Sequence, residues 1–322
     1  MRYIGIDVSK ATFVVAYSSD KGGEIRTFNN TTAGIRQFIG TLPKDGSIHC
    51  VMEATGNYSA LLLYMLNVAG ITVSMENPLK VKNFAKAMLS TIKTDKSDAR
   101  LITLYGEKMN PRPFKVQGEA ILRLRQKRTV IRQLTKQITA MSNLRGSLAC
   151  LPVPDKGATH TVDETIKFLE KKRDRLQSEL TDLVEVEFSR QLALLTTIKG
   201  IGITLATALI ITTGDFTYFQ NAKQVSRYLG ICPTYEQSGT SVNIKGHINR
   251  NGDAYTRGLL YIAAWPASRF NAQCKETYTR LRQNGKSGKL AMIAVANKLI
   301  RQAFAVVAHD KEYIDGFVSN RP

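Results

Sequence analysis

Two closely spaced prolines, Pro111 and Pro113, separate two parts of the chain that follow different hydrophobic patterns. Before them, short runs of β-branched and aromatic residues alternate with turn residues. After them, apolar residues recur three and four positions apart over long stretches with few turn signals. The 322 residues are enough for about two domains with cores of their own. We therefore expect an α/β part followed by an all-α part.

The first part opens with three β-rich runs, YIGIDVS, TFVVAYSS and EIRTFNN, within residues 2–30. Turn residues separate these runs, which predicts three strands with tight connections. A helix is predicted to begin at Thr31 or Thr32. The next predicted elements are a strand, a helix and a strand, over residues 48–54, 58–69 and 71–77. Strands that alternate with helices after a three-strand meander indicate a mixed α/β sheet domain.

The second part begins with two long helical patterns, in residues 118–149 and from Ile166 to Leu183, joined by the proline-rich turn LPVPDKG. The spacing predicts either a helical hairpin within one chain or a coiled-coil arm between chains. The first helix carries seven cations opposed only by Glu119. These are Arg123, Arg125, Lys127, Arg128, Arg132, Lys136 and Arg145. A run of one sign favours a phosphate-facing surface over an ordinary solvated face.

The segment LLTTIKGIGITLATALI, residues 194–210, has the pattern of a helix-hairpin-helix, with a Gly-x-Gly turn that follows Lys199. Such a turn presents backbone N–H groups at the start of a helix, where a DNA phosphate can bind. The alternative is a tight turn between two buried helices.

The charge of the chain indicates its partner. There are 45 Lys and Arg against 26 Asp and Glu, a net charge of +19. Residues 1–110 hold 13 cations and 9 acids (+4), and residues 111–322 hold 32 and 17 (+15). We expect nucleic acid as the partner, bound mainly by the second part. An acidic membrane surface is the weaker alternative, because no basic amphipathic anchor is evident.

The four cysteines are widely spaced and form no CxxC pair, which argues against a zinc ribbon or a disulfide scaffold and fits a reducing cytosol. The N-terminus lacks the apolar core of a signal peptide. The longest charge-free stretch, residues 54–75, is broken by Asn57, Asn67 and Gly70. We expect no membrane association and a cytoplasmic protein.

Four carboxylates stand at informative positions. Asp7 lies in the first strand, Glu53 ends the buried strand HCVMEA, and Asp95 and Asp98 are three apart in KTDKSDAR. If the four converge, they need divalent cations to offset their repulsion. Two Mg²⁺ ions, or Mn²⁺ in their place, suit phosphodiester chemistry. Taken singly, each acid is more easily explained by local hydrogen bonding or helix capping.

A second polar cluster, residues 235–260, contains Ser238 and Gly239 in a predicted turn. Its cations Lys245, Arg250 and Arg257 suit stabilisation of a phosphate attacked by a serine. A solvated loop with ordinary turn serines is the alternative. The later segment RLRQNGKSGK adds Lys286 and Lys289 as contacts to a nucleic-acid backbone, without the spacing of a Walker motif.

The motifs GIDVSK, MEATGNY, KTDKSDAR, IKGIGITLA, SGTS and KGHINRNGDAYTR, in this order, resemble the Piv/MooV-like DEDD transposases and site-specific recombinases. That family includes pilin-gene invertases and bridge-RNA-guided insertion-sequence recombinases. The resemblance covers nearly the whole chain. It implies a RuvC-like (RNase H-fold) domain over 1–112, a helical hairpin or coiled-coil arm over 113–186, and a helical C-terminal transposase domain over 187–322.

By this resemblance, Asp7, Glu53, Asp95 and Asp98 are the metal-binding catalytic acids. Ser238 is the nucleophile, although the extra residue Gln237 before it leaves Ser241 as a second candidate. The implied activity is cleavage and rejoining of DNA by a dimer or tetramer, in transposition or inversion. The resemblance leaves two alternatives for target recognition, a structured guide RNA or the protein itself. The alternatives are a RuvC-type Holliday-junction resolvase or nuclease without serine chemistry, and a non-enzymatic nucleic-acid-binding scaffold.

Overall fold

A computed structural model of the chain describes residues 1–18, 23–89, 94–115, 117–238, 242–248 and 252–316; side chains within residues 234–247 are not described. The chain divides into two compact units, Met1–Val116 and Gln117–Pro322.

The first unit contains a five-stranded sheet in the order β3-β2-β1-β4-β5. Its strands are β1 (Arg2–Val8), β2 (Thr12–Tyr17), β3 (Ile25–Asn29), β4 (Ile48–Glu53) and β5 (Thr72–Glu76). The first three pair antiparallel, whereas β4 runs parallel to both β1 and β5. The mixed α/β sheet predicted from the sequence is confirmed, and the opening meander is its antiparallel half.

Four α-helices complete the first unit: α1 (Thr32–Gly40), α2 (Ala60–Val68), α3 (Pro78–Ala87) and α4 (Asp95–Met109). A short 3₁₀ helix, Gly56–Ser59, precedes α2. Helix α3 is absent from the sequence-based prediction. Its signal is visible in hindsight, because Asn77 caps it by accepting from the Leu79 N–H at 2.8 Å and Pro78 is its first residue.

Both faces of the sheet are covered, because residues alternate along each strand. Ile4, Ile6 and Val8 of β1 pack in the cluster that contains Ile35 of α1 and Leu62 of α2. The alternate residues face the other way. Tyr3 of β1 and Val51 of β4 pack with Val81 of α3 and Ile102 of α4. Asp7 and Glu53 follow this second alternation, so they belong to the α4 side of the sheet.

The second unit begins with α5 (Glu119–Ala149) and α6 (Lys156–Glu187). These helices pack on each other in antiparallel fashion, as the pairs Lys127–Glu179 and Arg145–Asp163 show. Of the two alternatives left open by the sequence, the chain itself forms the hairpin. A small separate core holds the far end, and it contains Ile138, Val162 and Ile166.

The rest of the second unit is mainly helical. Its helices are α7 (Ser189–Thr196), α8 (Ile203–Thr213), α9 (Ala222–Tyr228), α10 (Ala254–Phe270), α11 (Ala272–Gln283) and α12 (Gly288–Ala308). Between α9 and α10, β6 (Pro233–Ser238) and β7 (Val242–Ile248) form an antiparallel ribbon. No strands were predicted here from the sequence. The ribbon contains a register shift between Thr234 and Glu236, which breaks the regular period of two.

Helix α12 is the one described helix long and apolar enough to cross a membrane by length and composition. Half of its apolar window is buried inside the protein. Val295, Leu299 and Ile300 of α12 are inaccessible to solvent and belong to the main core of the second unit. The core therefore accounts for the apolar character of α12.

Candidate functional site

The four predicted acids lie near the carboxyl-terminal ends of strands β1 and β4 in the first unit. In the parallel register of β1 and β4, Ile6 is opposite Met52, and Asp7 and Glu53 are the next residue on each strand. Because side chains alternate between faces, these two carboxylates share the face on which α4 packs. Both side chains are only partly exposed.

Asp95 and Asp98 occupy the first turn of α4. A capping box holds the start of this helix, since the Thr94 hydroxyl accepts from the Ser97 N–H at 3.1 Å and the Ser97 hydroxyl accepts from the Thr94 N–H at 2.8 Å. Acids in a first turn interact favourably with the positive end of the helix dipole. The segment KTDKSDAR therefore forms a helix start that presents two carboxylates.

Gly5 allows α4 to lie directly on β1. A Cβ atom at this position would lie 2.2 Å from the Ala99 carbonyl oxygen and 2.3 Å from the Thr103 nitrogen. Only glycine permits this approach. Gly5 was not among the predicted site residues, although a glycine inside a strand is itself a signal of close backbone contact.

The pKa of the Asp7 carboxyl reflects the proximity of the four acids. Burial, and after it the negative charges of the three other acids, together raise its pKa from 3.8 to about 6. Repulsion of this kind is what a bound cation would relieve. The sequence-based expectation that the acids converge thus agrees with the electrostatics at Asp7.

The donor set suits a hard cation, since all four side chains offer carboxylate oxygens. Two further buried oxygens near these strand ends, Asn30 Oδ1 and Thr55 Oγ1, have no hydrogen-bond partner. Among the described residues, however, no three His, Cys, Asp or Glu side chains stand in an arrangement ready to hold one ion. The acids are therefore in electrostatic contact but are not assembled as a closed coordination shell.

Asn30 is a second residue that sequence reasoning missed. Its side-chain N–H groups donate to the Ser9 carbonyl oxygen at 3.0 Å and to the Tyr58 carbonyl oxygen at 2.9 Å. It thereby ties the turn after β1 to the 3₁₀ helix that follows β4. These are the segments that leave the strands carrying Asp7 and Glu53.

Ser238 lies in the second unit, as the last residue of β6, with Val242 of β7 opposite it. The predicted turn position is thus the end of a strand. Ser241 and Gly239 lie outside the described residues, as does Arg250. The backbone of Lys245 belongs to β7, but its side chain is not among those described.

The other cations predicted to bind nucleic acid differ in their surroundings. Lys199 Nζ is 2.8 Å from Asp315 Oδ2, in an exposed ion pair at the hairpin turn. Arg257 Nη1 donates to the Leu229 and Gly252 carbonyl oxygens, at 3.3 and 2.9 Å. It therefore supports the start of α10. Lys286 and Lys289 are exposed beside the start of α12.

The predicted hairpin segment consists of α7 and α8 joined by a tight turn, which fits both the helix-hairpin-helix and its alternative. Gly200 adopts φ +108°, and a Cβ there would lie 2.7 Å from the Cβ of Ala267. Gly202 precedes α8 without a side-chain hydrogen bond to the helix start. The first N–H groups of α8 therefore lack a side-chain cap.

Most cations of α5 have protein partners that the sequence did not predict. Arg125 donates to the carbonyl oxygens of Ile211 and Thr212, each at 3.1 Å, at the end of α8. Four further cations form ion pairs, with the distances Arg123–Glu119 3.3 Å, Lys127–Glu179 2.6 Å, Arg132–Asp253 3.0 Å and Arg145–Asp163 3.2 Å. Arg128 is largely buried and donates to Thr212 Oγ1 at 2.6 Å. Most of this charge holds the second unit together.

Comparison with known proteins gives matches on both units. A family profile of the DEDD type from IS110, described as "Transposase", matches residues 4–149. A second, described as "Transposase IS116/IS110/IS902 family", matches residues 192–279. The four acids fall within the first matched range and Ser238 within the second.

Curated proteins similar to this chain match it over nearly its whole length. Two pilin gene-inverting proteins, from Moraxella bovis and Moraxella lacunata, are each 29% identical over 323 residues, 97% of this chain and 97% of theirs. A probable family 20 transposase of Pseudomonas aeruginosa is 25% identical over 348 residues, 97% of this chain and 98% of its own.

Proposed function

Because the chain belongs to the IS110/IS116 family of transposases and recombinases, we propose that it cuts and rejoins DNA strands at specific sites, in transposition or site-specific inversion. The observation that carries this proposal is the placement of Asp7 and Glu53 at neighbouring strand ends beside Asp95 and Asp98 in the first turn of α4, within the range matched by the transposase profile. The excess positive charge of the second unit supports DNA as the substrate.

We assign the first unit as a RuvC-like domain whose Asp7, Glu53, Asp95 and Asp98 would hold divalent cations, Mg²⁺ or Mn²⁺. Bound there, such cations supply charge neutralisation at the phosphodiester. The chain's own part is positional. Gly5 sets the distance between β1 and α4, and the capping box fixes the turn that bears Asp95 and Asp98.

We assign Ser238 as the nucleophile, with Ser241 as the weaker candidate. The Oγ of Ser238 would form a bond to phosphorus. One DNA oxygen would leave, take up the serine proton and become a hydroxyl group. The protein–DNA ester keeps the phosphodiester energy for rejoining, as recombination requires. Without a serine step, the same acids would serve a resolvase or nuclease that hydrolyses DNA.

The first experiment is to purify the protein from its host and to sequence the nucleic acid that accompanies it. A single structured RNA encoded beside the gene would identify a guided transposase. Enrichment of one repeated DNA site without a defined RNA would identify a recombinase that reads its own crossover sequence, as an invertase does. If neither a defined RNA nor an enriched DNA site were recovered, the non-enzymatic scaffold would be favoured.

The DNA site found in this way then tests the chemistry. Wild type should give a protein–DNA adduct that survives detergent, and Ser238→Ala should give neither adduct nor joined product. Ser241→Ala is the matched control and should retain both. Asp7→Asn and Glu53→Gln should abolish cleavage. If Ser238→Ala still cut DNA while the acid variants did not, the resolvase alternative would replace the recombinase.

Joining two DNA sites needs at least two protomers, so we further propose a dimer or tetramer. The α5–α6 hairpin is the segment we assign to assembly, because Val130, Leu144 and Phe168 on it are apolar and at least 44% exposed. Light scattering of the full chain with and without DNA tests this. A mass of one protomer in both states would contradict it.

A further inference from the structure

The second unit contains a cleft of about 580 Å³ that no part of the proposed chemistry uses. It lies between α5, α6 and α8, with the start of α10 at its mouth. Its floor is apolar and is formed by Ile131, Leu180, Ala208 and Ile211. This volume lies in the range of small-ligand pockets and is large enough for one nucleotide.

Cations surround the mouth of the cleft. They are Arg128 and Arg132 of α5, Lys136 one turn further, and Arg173 of α6. Among the described residues that line the cleft there is no acid. Arg128 and Arg132 share the carboxylate of Asp253, at 3.5 and 3.0 Å, and Arg173 pairs with Asp174 at 2.7 Å. Lys136 has no ion-pair partner in the described part of the chain, so the mouth keeps an excess of positive charge.

The surrounding positive charge affects the pKa of Arg128. Burial lowers the pKa of its guanidinium, and the neighbouring charges of Arg125 and Arg132 lower it further, against the partial compensation by Asp253. An anion at the mouth would favour the charged form of Arg128.

The cleft also offers a surface for a flat ring. Tyr255 at the mouth is 41% exposed and has the Arg132 guanidinium 5.8 Å from its ring centre. Ile203, at the start of α8, is 58% exposed at the same mouth. Thr204, Thr207 and Gln177 add hydrogen-bonding groups to the walls. Aromatic and apolar side chains beside cations are the elements of single-strand recognition.

We propose that this cleft binds one unpaired nucleotide of the DNA on which the protein acts, with the base on the apolar floor and the phosphate on the cations of α5 and α6. Duplex DNA cannot reach the floor, because its bases are stacked and paired. The inference rests on the proposed function for the identity of the nucleic acid. It gives the second unit a means to hold a strand opened during recombination.

The test is fluorescence anisotropy of the full chain in EDTA with labelled dT12 and with a 12-base-pair duplex. Lys136→Glu changes the charge at the mouth. Lys167→Glu makes the same change at an exposed position of α6 outside the cleft. The loss of dT12 affinity should be roughly tenfold larger for Lys136→Glu than for Lys167→Glu. The loss of duplex affinity should be the same for both variants. Equal losses on dT12 would overturn the proposal.

A second variant, Gln177→Trp, fills the cleft from its α6 wall, at an exposed position away from the hairpin turn, without changing charge. It should weaken dT12 binding and leave duplex binding and the melting temperature near wild type. Unchanged dT12 binding would overturn the proposal. Labelled U12 forms the comparison arm, and a loss confined to U12 would overturn the assignment to DNA. Since EDTA blocks metal-dependent cleavage, these results do not depend on the four acids or Ser238.

Discussion

The backbone N–H of Gly5 donates a 3.0 Å hydrogen bond to the side-chain oxygen of Thr103, in the middle of α4. The same hydroxyl donates to the carbonyl oxygen of Ala16 in β2, at 2.9 Å. One buried threonine thus ties α4 to two strands. Because Asp7 lies two residues beyond Gly5, this contact sets how far the acids of α4 stand from those of the sheet.

Gly5→Ala should therefore damage both stability and the site. Its methyl group would collide with backbone atoms of α4, which cannot move aside as a flexible side chain can. We expect the free energy of unfolding to fall by about 3 kcal/mol and DNA cleavage to fall with it. Urea denaturation measures the first effect.

Gly40→Ala is the matched control for this prediction. Gly40 ends α1 in the same unit, and a Cβ there meets nothing within 4 Å. Its stability should stay within about 1 kcal/mol of wild type. Equal stability of the two variants would show that β1 and α4 are not in close contact.

The raised pKa of Asp7 predicts a pH dependence of unusual sign for an acid. Its pKa is about 6 in the folded protein and 3.8 ordinarily, so between these values the folded state binds more protons than the unfolded state. Stability without metal should fall as the pH rises from about 4 to 6 and then level off. At pH 7.5 in EDTA, Asp7→Asn should be more stable than wild type, by on the order of 1 kcal/mol after solvent screening of this half-exposed group.

Thermal unfolding with and without Mg²⁺ completes this test. Mg²⁺ should raise the melting temperature of wild type and have little effect on Asp7→Asn. Asp45→Asn serves as control, since Asp45 lies before β4, away from the strand end that carries Glu53, and hydrogen bonds to Ser47 lower its pKa. It should keep the wild-type response to Mg²⁺. A stabilising effect of Mg²⁺ on Asp7→Asn equal to that on wild type would remove Asp7 from the metal site.

The sequence was sufficient for the sheet and for the candidate acids, because both depend on local pattern. Alternation along YIGIDVS and HCVMEA decides which face each residue takes, and parallel pairing then brings Asp7 and Glu53 to one edge. The ribbon β6–β7 escaped prediction, since its register shift and glycine-rich composition hide the period of two.

The direction of the α5 cations could not be predicted for a different reason. Periodicity shows which side of a helix is apolar, but not which partner a long arginine side chain will reach. Arg125 meets the carbonyl groups at the end of α8, which lie 86 and 87 residues away in sequence. Those carbonyl groups lie in the last turn of α8, lack helical N–H partners and therefore accept hydrogen bonds from the guanidinium.

Asp253 is predicted to be the central charge of the α5–α10 contact. Burial raises its pKa, but the Thr256 hydrogen bond and the charges of Arg128 and Arg132 outweigh this and lower the net value. Asp253→Asn keeps a side chain able to cap α10 while removing the charge. We expect a loss of about 2 kcal/mol in the free energy of unfolding at pH 7. Because the pKa is lowered, the difference from wild type should shrink as the pH falls below about 4.

Asp163→Asn is the comparison for Asp253→Asn, since Asp163 pairs with Arg145 near the far end of the hairpin and both side chains are well exposed. Its cost should stay below about 1 kcal/mol. If the two variants lost equal stability in urea denaturation, the contact between α5 and α10 would not depend on the Asp253 charge.

The ion pair between Lys199 and Asp315 predicts that the carboxylate competes with DNA for the hairpin turn. Asp315 Oδ2 lies 2.8 Å from Lys199 Nζ, where a phosphate oxygen would have to bind. Asp315→Asn should tighten duplex binding at low salt by roughly threefold and steepen its salt dependence by about one counterion. Asp310→Asn makes the same charge change in the same segment, at the pair with Arg190, and should have a smaller effect. Equal tightening by both variants would mean that only net charge matters. If the double variant Asp315→Asn with Lys199→Ala showed no tightening, Lys199 would be identified as the group released to bind DNA.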